Sequence, residues 1–207
     1  MKRQTVWLSI LIFLVFSPVI VFGDSDLFDG FSDKEIEKLE NGELLVVIEP
    51  EDDNPGRVFR AVFLIEKPID TCWELLNQPE RQDEFTTRLE ECELVGEGQD
   101  TKVVRFLLKV LFMKVRYQIE HIFDDEIYQV DFSLDPEYEN DLTIFDGTWR
   151  LYPVEEGGTF ARYHSRVQLA SWIPTLVQRF LTRLSIPAAL EAWKTWLDSD
   201  GRWRKKK

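Results

Sequence analysis

The chain has 207 residues, of which 44% are hydrophobic and 30% charged, and its formal net charge is −13. This length and composition are typical of one globular domain with a core of normal size, and they exclude a disordered chain. The acidic balance excludes nucleic acid as an expected partner, because the long-range field of the protein repels it, and it repels an anionic membrane surface as a whole in the same way.

The first 23 residues have the pattern of an export signal. Two basic residues precede an apolar run over residues 6–22, which Pro18 interrupts near its end. This order of charged, apolar and small residues is typical of a secretory signal peptide. The run is short for a membrane-spanning helix, but Val21 and Phe22 depart from the small residues preferred at a cleavage site. We therefore expect an exported protein, periplasmic or secreted, with an uncleaved membrane anchor as the alternative.

Residues 24–56 are predicted to form an N-terminal extension. A short helix is expected over residues 32–40, with Ser32 as N-cap and Glu35 at the capping-box position. The apolar residues 44–48 predict a strand, and a loop rich in Asp and Pro follows it.

Residues 57–198 are predicted to form the main domain. A strand at 58–65 leads through Pro68 into two short helices, at 69–76 and 79–86, and a strand at 89–95 follows. Five segments then show alternating apolar and polar residues or hairpin turns, which predicts antiparallel strands with one buried face. Their residues are 102–112, 115–123, 128–134, 142–153 and 159–170.

A long helical pattern closes the domain, over residues 172–197. Its two apolar stripes, before and after Pro187, point to nearly opposite sides of one straight helix. We therefore expect a break or kink at Ser185–Pro187. The basic tail at 199–207 is expected to be a solvated end.

Three phrases carry a resemblance to a known superfamily. The strand-Pro-helix segment Ile65–Leu76, the last hairpin with Asp146–Leu151, and the phrase Pro187–Leu190 occur in the order found in START-like (SRPBCC, Bet v 1-like) proteins. The resemblance covers residues 57–198 and is closest to the coenzyme-Q-binding and polyketide-cyclase branch. It implies an α+β helix-grip fold, in which a curved antiparallel sheet wraps around a long C-terminal helix and two short helices follow the first strand.

The resemblance also implies a hydrophobic cavity between sheet and helix that binds a lipid, a quinone or a polyketide-like molecule, without implying catalysis. Strand parity selects the residues that should face this space. They are Phe106, Leu108, Tyr117, His121, Val130, Trp149 and Tyr163.

Catalytic signals are sparse. Of the two histidines, His121 lies on a predicted buried face near Tyr117, and His164 lies on the opposite, polar face of its strand. No phosphate-binding loop, nucleophile elbow or metal-binding motif is present, so no cofactor or metal is expected. We expect a binding protein, with an aromatase- or cyclase-type enzyme using His121 and Tyr117 as one alternative and a protein-interaction module with an unknown protein partner as another.

Cys72 and Cys92 are the only cysteines. Export would place them in an oxidising compartment, which favours a disulfide. Two buried thiols are the alternative, because free cysteine often behaves as a small apolar residue.

An apolar entrance to the cavity is a further prediction. The turn at Leu111–Met113 lacks the usual turn residues, and in an up-and-down sheet it shares one end with the exit of the last strand. We expect an entrance formed by Leu111, Phe112, Met113, Trp172, Leu176 and Phe180. Transient contact with a membrane would let a ligand pass through it, with Arg179 and Arg183 supplying local positive charge.

Overall fold

The computed structural model describes residues 27–39, 42–50, 56–155 and 157–206, and the predicted signal segment lies outside these ranges. Within them, no helix is long and apolar enough to cross a membrane. The helical elements are α1 (Asp33–Leu39), α2 (Ile69–Leu76), a 3-10 turn (Pro79–Arg81), α3 (Gln82–Phe85), α4 (Thr175–Phe180), a π-helical turn (Leu181–Ser185) and α5 (Ile186–Asp198). The strands are β1 (Leu45–Pro50), β2 (Arg57–Ile65), β3 (Leu89–Glu97), β4 (Thr101–Val110), β5 (Met113–Asp124), β6 (Gln129–Leu134), β7 (Leu142–Pro153) and β8 (Thr159–Leu169).

The strands form one antiparallel sheet in the order β1-β2-β8-β7-β6-β5-β4-β3. Strands β3 to β8 follow one another as a meander, whereas β8 returns to pair with β2. The period-two pattern explains the two faces of the sheet. In β5, for example, Val115, Tyr117, Ile119 and His121 are buried, while Arg116 between them is exposed.

Helix α5 covers the inner face of the sheet. Its residues Leu190, Trp193, Trp196 and Leu197 are buried. Trp196 stacks on Phe85 of α3, with ring centroids 4.5 Å apart, so the short helices close one side of the same core. The predicted α+β helix-grip architecture is confirmed.

The C-terminal helix does not break at the predicted position, Ser185–Pro187. The chain stays helical from α4 through the π-helical turn into α5, and the Ile186 N–H donates to the carbonyl of Leu181, five residues back. Pro187 lies in the first turn of α5, where a missing N–H costs little. A π-helical turn takes up one extra residue, so it changes the phase of the side chains without interrupting the helix.

The N-terminal extension is part of the same sheet. Strand β1 pairs with β2 along its full length. Leu27, Leu39 and Leu45 pack with buried residues of β2, β7 and β8 in a second, smaller cluster that is separate from the main core. The extension therefore adds an edge strand and a small apolar cover to the domain.

The basic tail is docked onto the protein, and the expectation of a solvated end is wrong. The backbone N–H of Lys205 donates to the carbonyl of Glu84, and its ammonium group donates to the carbonyls of Thr86 and Leu89. Arg204 forms an ion pair of 2.9 Å with the Glu84 carboxylate. The sequence shows that the tail is basic. It does not show that residues 84–89 fold next to the tail and bind it through backbone carbonyl groups and the Glu84 carboxylate.

The disulfide between Cys72 and Cys92 is absent, and both are free thiols. The Sγ atom of Cys72 on α2 lies 3.8 Å from the carbonyl oxygen of Lys67, whereas Cys92 on β3 lies against Asp83. Burial raises the pKa of both thiols, that of Cys72 to about 11, so neither is a reactive thiolate near neutral pH.

Candidate ligand-binding cavity

A cavity of about 300 Å³ lies between the inner face of the sheet and the C-terminal helix. Strands β4 to β8 supply one wall, and residues 181–193 of the helix supply the other. The cavity exists because long, curved strands with one apolar face enclose more space than a single helix fills.

Six of the seven residues selected by strand parity line this cavity. They are Phe106, Leu108, Tyr117, His121, Trp149 and Tyr163. Val130 is only 1% exposed but does not line the cavity. It pairs with Phe123 on one side and Trp149 on the other, so larger neighbours flank it and it packs in the core.

The parity argument omitted three further aromatic residues of the lining: Phe132, Phe145 and Trp193. Phe132 stacks on Tyr163 with centroids 6.0 Å apart, and Phe145 meets Phe132 edge-on at 5.5 Å. Phe132 was already on a predicted buried face, so the alternation could have identified it. Trp193 lies on the apolar stripe after Pro187, so the helical pattern could have identified it as well.

Gly147 makes room for this aromatic wall. A Cβ atom at this position would lie 2.1 Å from the carbonyl oxygen of His164 and 2.7 Å from the ring of Phe132. Only glycine therefore fits on β7 beside Phe132, which explains the Asp-Gly-Thr-Trp phrase in physical terms.

His121, Tyr117 and Tyr163 form one end of the cavity, which we call its deep end. They supply polar groups but no charge. Burial lowers the pKa of His121 to about 4 and raises the pKa of Tyr117 and Tyr163, because a low-dielectric surrounding disfavours the charged forms. Within the described ranges, the Nδ1 atom of His121 is buried and has no hydrogen-bond partner. The neutral imidazole can therefore form a hydrogen bond with a ligand.

The opposite end of the cavity, which we call its mouth, has a positively charged side chain. Arg88, at the start of β3, lines the cavity, and its guanidinium carbon lies 4.3 Å from the centroid of Phe180 on α4. Two further lining residues, Thr86 and Ser185, have buried hydroxyl oxygens without a partner in the described part of the chain.

The two halves of the predicted entrance lie at the same end of the sheet. Asp141 joins them, since its N–H donates to the carbonyl of Arg116 in β5 and its carbonyl accepts the N–H of Ala170 after β8. The apolar side chains are largely in solvent, with Phe112 77%, Leu176 65% and Trp172 58% exposed.

The remaining entrance residues are placed differently. Met113 and Phe180 are half-buried against the main core. Leu111 is 42% exposed and adopts a left-handed backbone with a φ of 55°, which is uncommon for a residue other than glycine. A turn that normally takes Gly, Asn or Asp thus presents two apolar side chains to solvent.

The structure offers little for catalysis. His121 is surrounded by the rings of Phe106, Phe123 and Phe132. His164 lies outside the cavity, beside three arginines that lower its pKa together with burial. Among the described residues, no group of three or more His, Cys, Asp or Glu side chains is arranged to hold a metal ion.

No protein-family model and no curated protein sequence matches the chain. Solved structures do resemble it. The Zhui aromatase/cyclase from a Streptomyces species aligns with a TM-score of 0.61 and 17% identity, over 71% of this chain and 96% of that one. The fold is that of the START-like proteins.

Two further solved structures share this fold. The STAR-related lipid transfer protein from Xanthomonas axonopodis aligns with a TM-score of 0.61 and 15% identity, over 74% of this chain and 93% of that one. A Thermus thermophilus protein aligns with a TM-score of 0.58 and 23% identity, over 68% of this chain and 96% of that one. Identities this low relate the folds, and they confirm the START-like resemblance seen in the sequence. The ligand must be argued from the cavity.

Proposed function

We propose that this protein is an exported binding protein for a hydrophobic ligand of the lipid, quinone or polyketide class, held between the sheet and α5. The observation that supports it is the cavity itself, which has an aromatic and aliphatic lining and only a few polar atoms. Such a lining is typical of small-molecule sites in proteins. Export is supported by the signal-like pattern of residues 1–23.

Passage of the ligand through the apolar entrance, during transient contact with a membrane, is part of this proposal. Phe112, Trp172 and Leu176 are exposed at the end of the sheet where the cavity opens beside Arg88. Exposed apolar side chains grouped in this way are a recurrent feature of membrane-binding surfaces.

An aromatase- or cyclase-type enzyme is the second candidate, favoured by the position of His121 and Tyr117 in the cavity wall and by the fold shared with the Zhui aromatase/cyclase. Binding is the stronger proposal. An imidazole with a pKa near 4 is a weak base at neutral pH, and the rings around His121 supply no carboxylate to orient it. A protein-interaction module is less well supported, since that role needs no cavity.

Native mass spectrometry of the protein from an exporting host, followed by organic extraction, tests ligand binding. We expect a retained small molecule in the wild type and its loss from an Ala189→Phe variant, because Ala189 lines the cavity on α5 and a phenyl group fills part of the space. Thr195→Phe, on the exposed side of the same helix, is the matched control and should retain the ligand.

Circular dichroism establishes that both variants are folded. A wild type without extractable ligand, or an Ala189→Phe variant that retains as much ligand as the control, would contradict the proposed function.

A further inference from the structure

Arg88 holds a fixed position at the mouth of the cavity. Its carbonyl accepts the N–H of Lys109, which aligns this residue with the end of β4. Its guanidinium lies over the ring of Phe180, so the side chain extends from the sheet side to the C-terminal helix. The positive charge is therefore held where a ligand would enter.

The carboxylates near Arg88 are engaged elsewhere. Glu90, two residues along the chain, pairs with Lys109 at 3.3 Å and Lys114 at 3.1 Å. In the described ranges of the chain, no carboxylate lies within ion-pair distance of Arg88, whereas Arg60, Arg81, Arg105, Arg116, Arg166, Arg202 and Arg204 each have one.

Two hydroxyl groups add hydrogen-bonding capacity to the lining. Thr86 precedes Arg88 by two residues, and Ser185 ends the π-helical turn. Both oxygens are buried without a partner among the described residues. Buried hydroxyl groups are normally hydrogen-bonded. Each of these two hydroxyl groups can donate a hydrogen bond, so together they suit a ligand with oxygen acceptors.

The deep end of the cavity has no charged side chain that could pair with a charged group of a ligand. His121, Tyr117 and Tyr163 are all neutral near pH 7, and aromatic rings surround them. A charged group buried there would lose its hydration without gaining an ion pair. A charged part of any ligand must therefore remain at the mouth.

The size of the cavity limits the body of the ligand. A volume of about 300 Å³ lies at the lower end of the range of about 300–1,000 Å³ that is usual for small-molecule sites. One short chain or one small ring system fits this space, whereas a lipid with two long acyl chains does not.

We propose that the cavity binds a small amphipathic anion, whose carboxylate or phosphate monoester group pairs with Arg88 while its uncharged body occupies the aromatic interior. This rests on the proposed ligand-binding function and names the chemical class of the ligand. The shared chemistry is an anionic oxygen group, which a guanidinium recognises through charge-assisted hydrogen bonds.

The test compares decanoate, methyl decanoate and decyl phosphate, which differ only in the head group. Binding is followed by calorimetry and by the fluorescence of Trp149 and Trp193, which line the cavity. We expect the wild type to bind decanoate about tenfold more tightly than its methyl ester, the usual magnitude for one charge-assisted contact. Arg88→Gln should remove most of this difference, because it weakens the binding of the acid far more than the binding of the ester.

Arg202→Gln is the control, because Arg202 is exposed in the C-terminal tail and outside the cavity lining. It should bind both probes as the wild type does. Equal wild-type affinities for acid and ester, or an Arg88→Gln variant that still prefers the acid, would overturn the anion proposal and leave ligand binding intact. A wild type that binds none of the three probes would also overturn the anion proposal, whereas the native mass spectrometry described above decides the proposed function separately. The ratio of decyl phosphate to decanoate affinity then identifies which anionic group the mouth prefers.

Discussion

His121 shows how one buried residue can report on the state of the cavity. The side chain is 6% exposed, and its Nδ1 atom has no hydrogen-bond partner in the part of the chain that the structure describes. Protonation would place a charge among aromatic rings, which is why the pKa of His121 is lowered to about 4. In the unfolded chain the same imidazole titrates near its ordinary value of about 6.5.

The free energy of unfolding should therefore fall as the pH is lowered. Between the two pKa values the unfolded state binds the proton and the folded state does not, so the contribution of His121 is complete above about pH 6.5 and is lost toward pH 4. We expect a slope approaching about 1.4 kcal/mol per pH unit, read from urea unfolding at several pH values between 6.5 and 5.

The control is His121→Phe, which fits the aromatic surroundings and cannot titrate. Its slope in that range should be smaller by this amount, while His164→Gln should retain the contribution of His121. Parallel wild-type and His121→Phe curves would show that His121 titrates normally in the folded protein.

Leu111 is the second residue with an unusual environment. A left-handed backbone at a residue with a branched side chain costs about 1 kcal/mol, and such strain is most often retained at functional sites. Here its effect is to hold Leu111 and the exposed Phe112 outward at the tip of the β4–β5 hairpin. The strain agrees with the role of this turn in the proposed entrance.

At the scale of elements, the π-helical turn at Leu181–Ser185 decides how the C-terminal helix presents its apolar residues. In a regular helix the stripe before Pro187 and the stripe after it would face opposite sides. The extra residue rotates the first stripe by about 100° relative to α5. As a result Val177 and Leu181 are buried, whereas Leu176 and Leu184 are exposed at the mouth of the cavity.

Deleting Arg183, an exposed residue within this turn, should make the helix regular and rotate α4 away from the core. Val177 and Leu181 would then lose burial, which costs about 3 kcal/mol or more at the usual value per side chain. The measurement is the midpoint of urea unfolding. Arg183→Ala keeps the length of the turn and should stay close to the wild type, and a deletion variant as stable as Arg183→Ala would show that the phase of α4 does not matter.

The whole molecule combines an acidic surface with one basic and apolar end. The net charge is −13, yet Arg179 and Arg183 lie on the same helix as the exposed Leu176 of the entrance, and Arg88 contacts Phe180. The overall field opposes approach to an anionic membrane, whereas the entrance attracts one locally. These opposing effects suit brief contact with a membrane better than permanent attachment.

Vesicle flotation tests this balance with phosphatidylcholine vesicles that contain a minor share of phosphatidylglycerol. Phe112→Asp should reduce binding by about tenfold or more, since it removes an apolar anchor and adds a charge that resists burial. Ile122→Asp is the matched control, because Ile122 is an apolar residue that is 50% exposed but lies near the β5–β6 turn at the other end of the sheet. Equal loss in both variants, or none in either, would contradict membrane contact through the entrance.

The order of the elements, the buried faces of the strands and six residues of the cavity lining could be predicted from the sequence. These features depend on short-range rules, because successive side chains on a strand alternate between two faces and turn residues mark the ends. The START-like phrases then indicated which side of the sheet the helix covers. The positions of Phe106, Tyr117 and His121 followed from parity alone.

Contacts between segments that are distant in the sequence could not be predicted and are seen only in the folded protein. Arg88 faces Phe180, and the tail reaches the end of α3, although nothing in either local sequence indicates its partner. Cys72 and Cys92 pack against different neighbours, which no count of cysteines reveals. The direction in which the C-terminal helix presents its side chains depends on the π-helical turn. The free energy that this turn costs is offset by the burial of Val177 and Leu181. Helix propensities describe single residues, so they do not include the free energy of this burial.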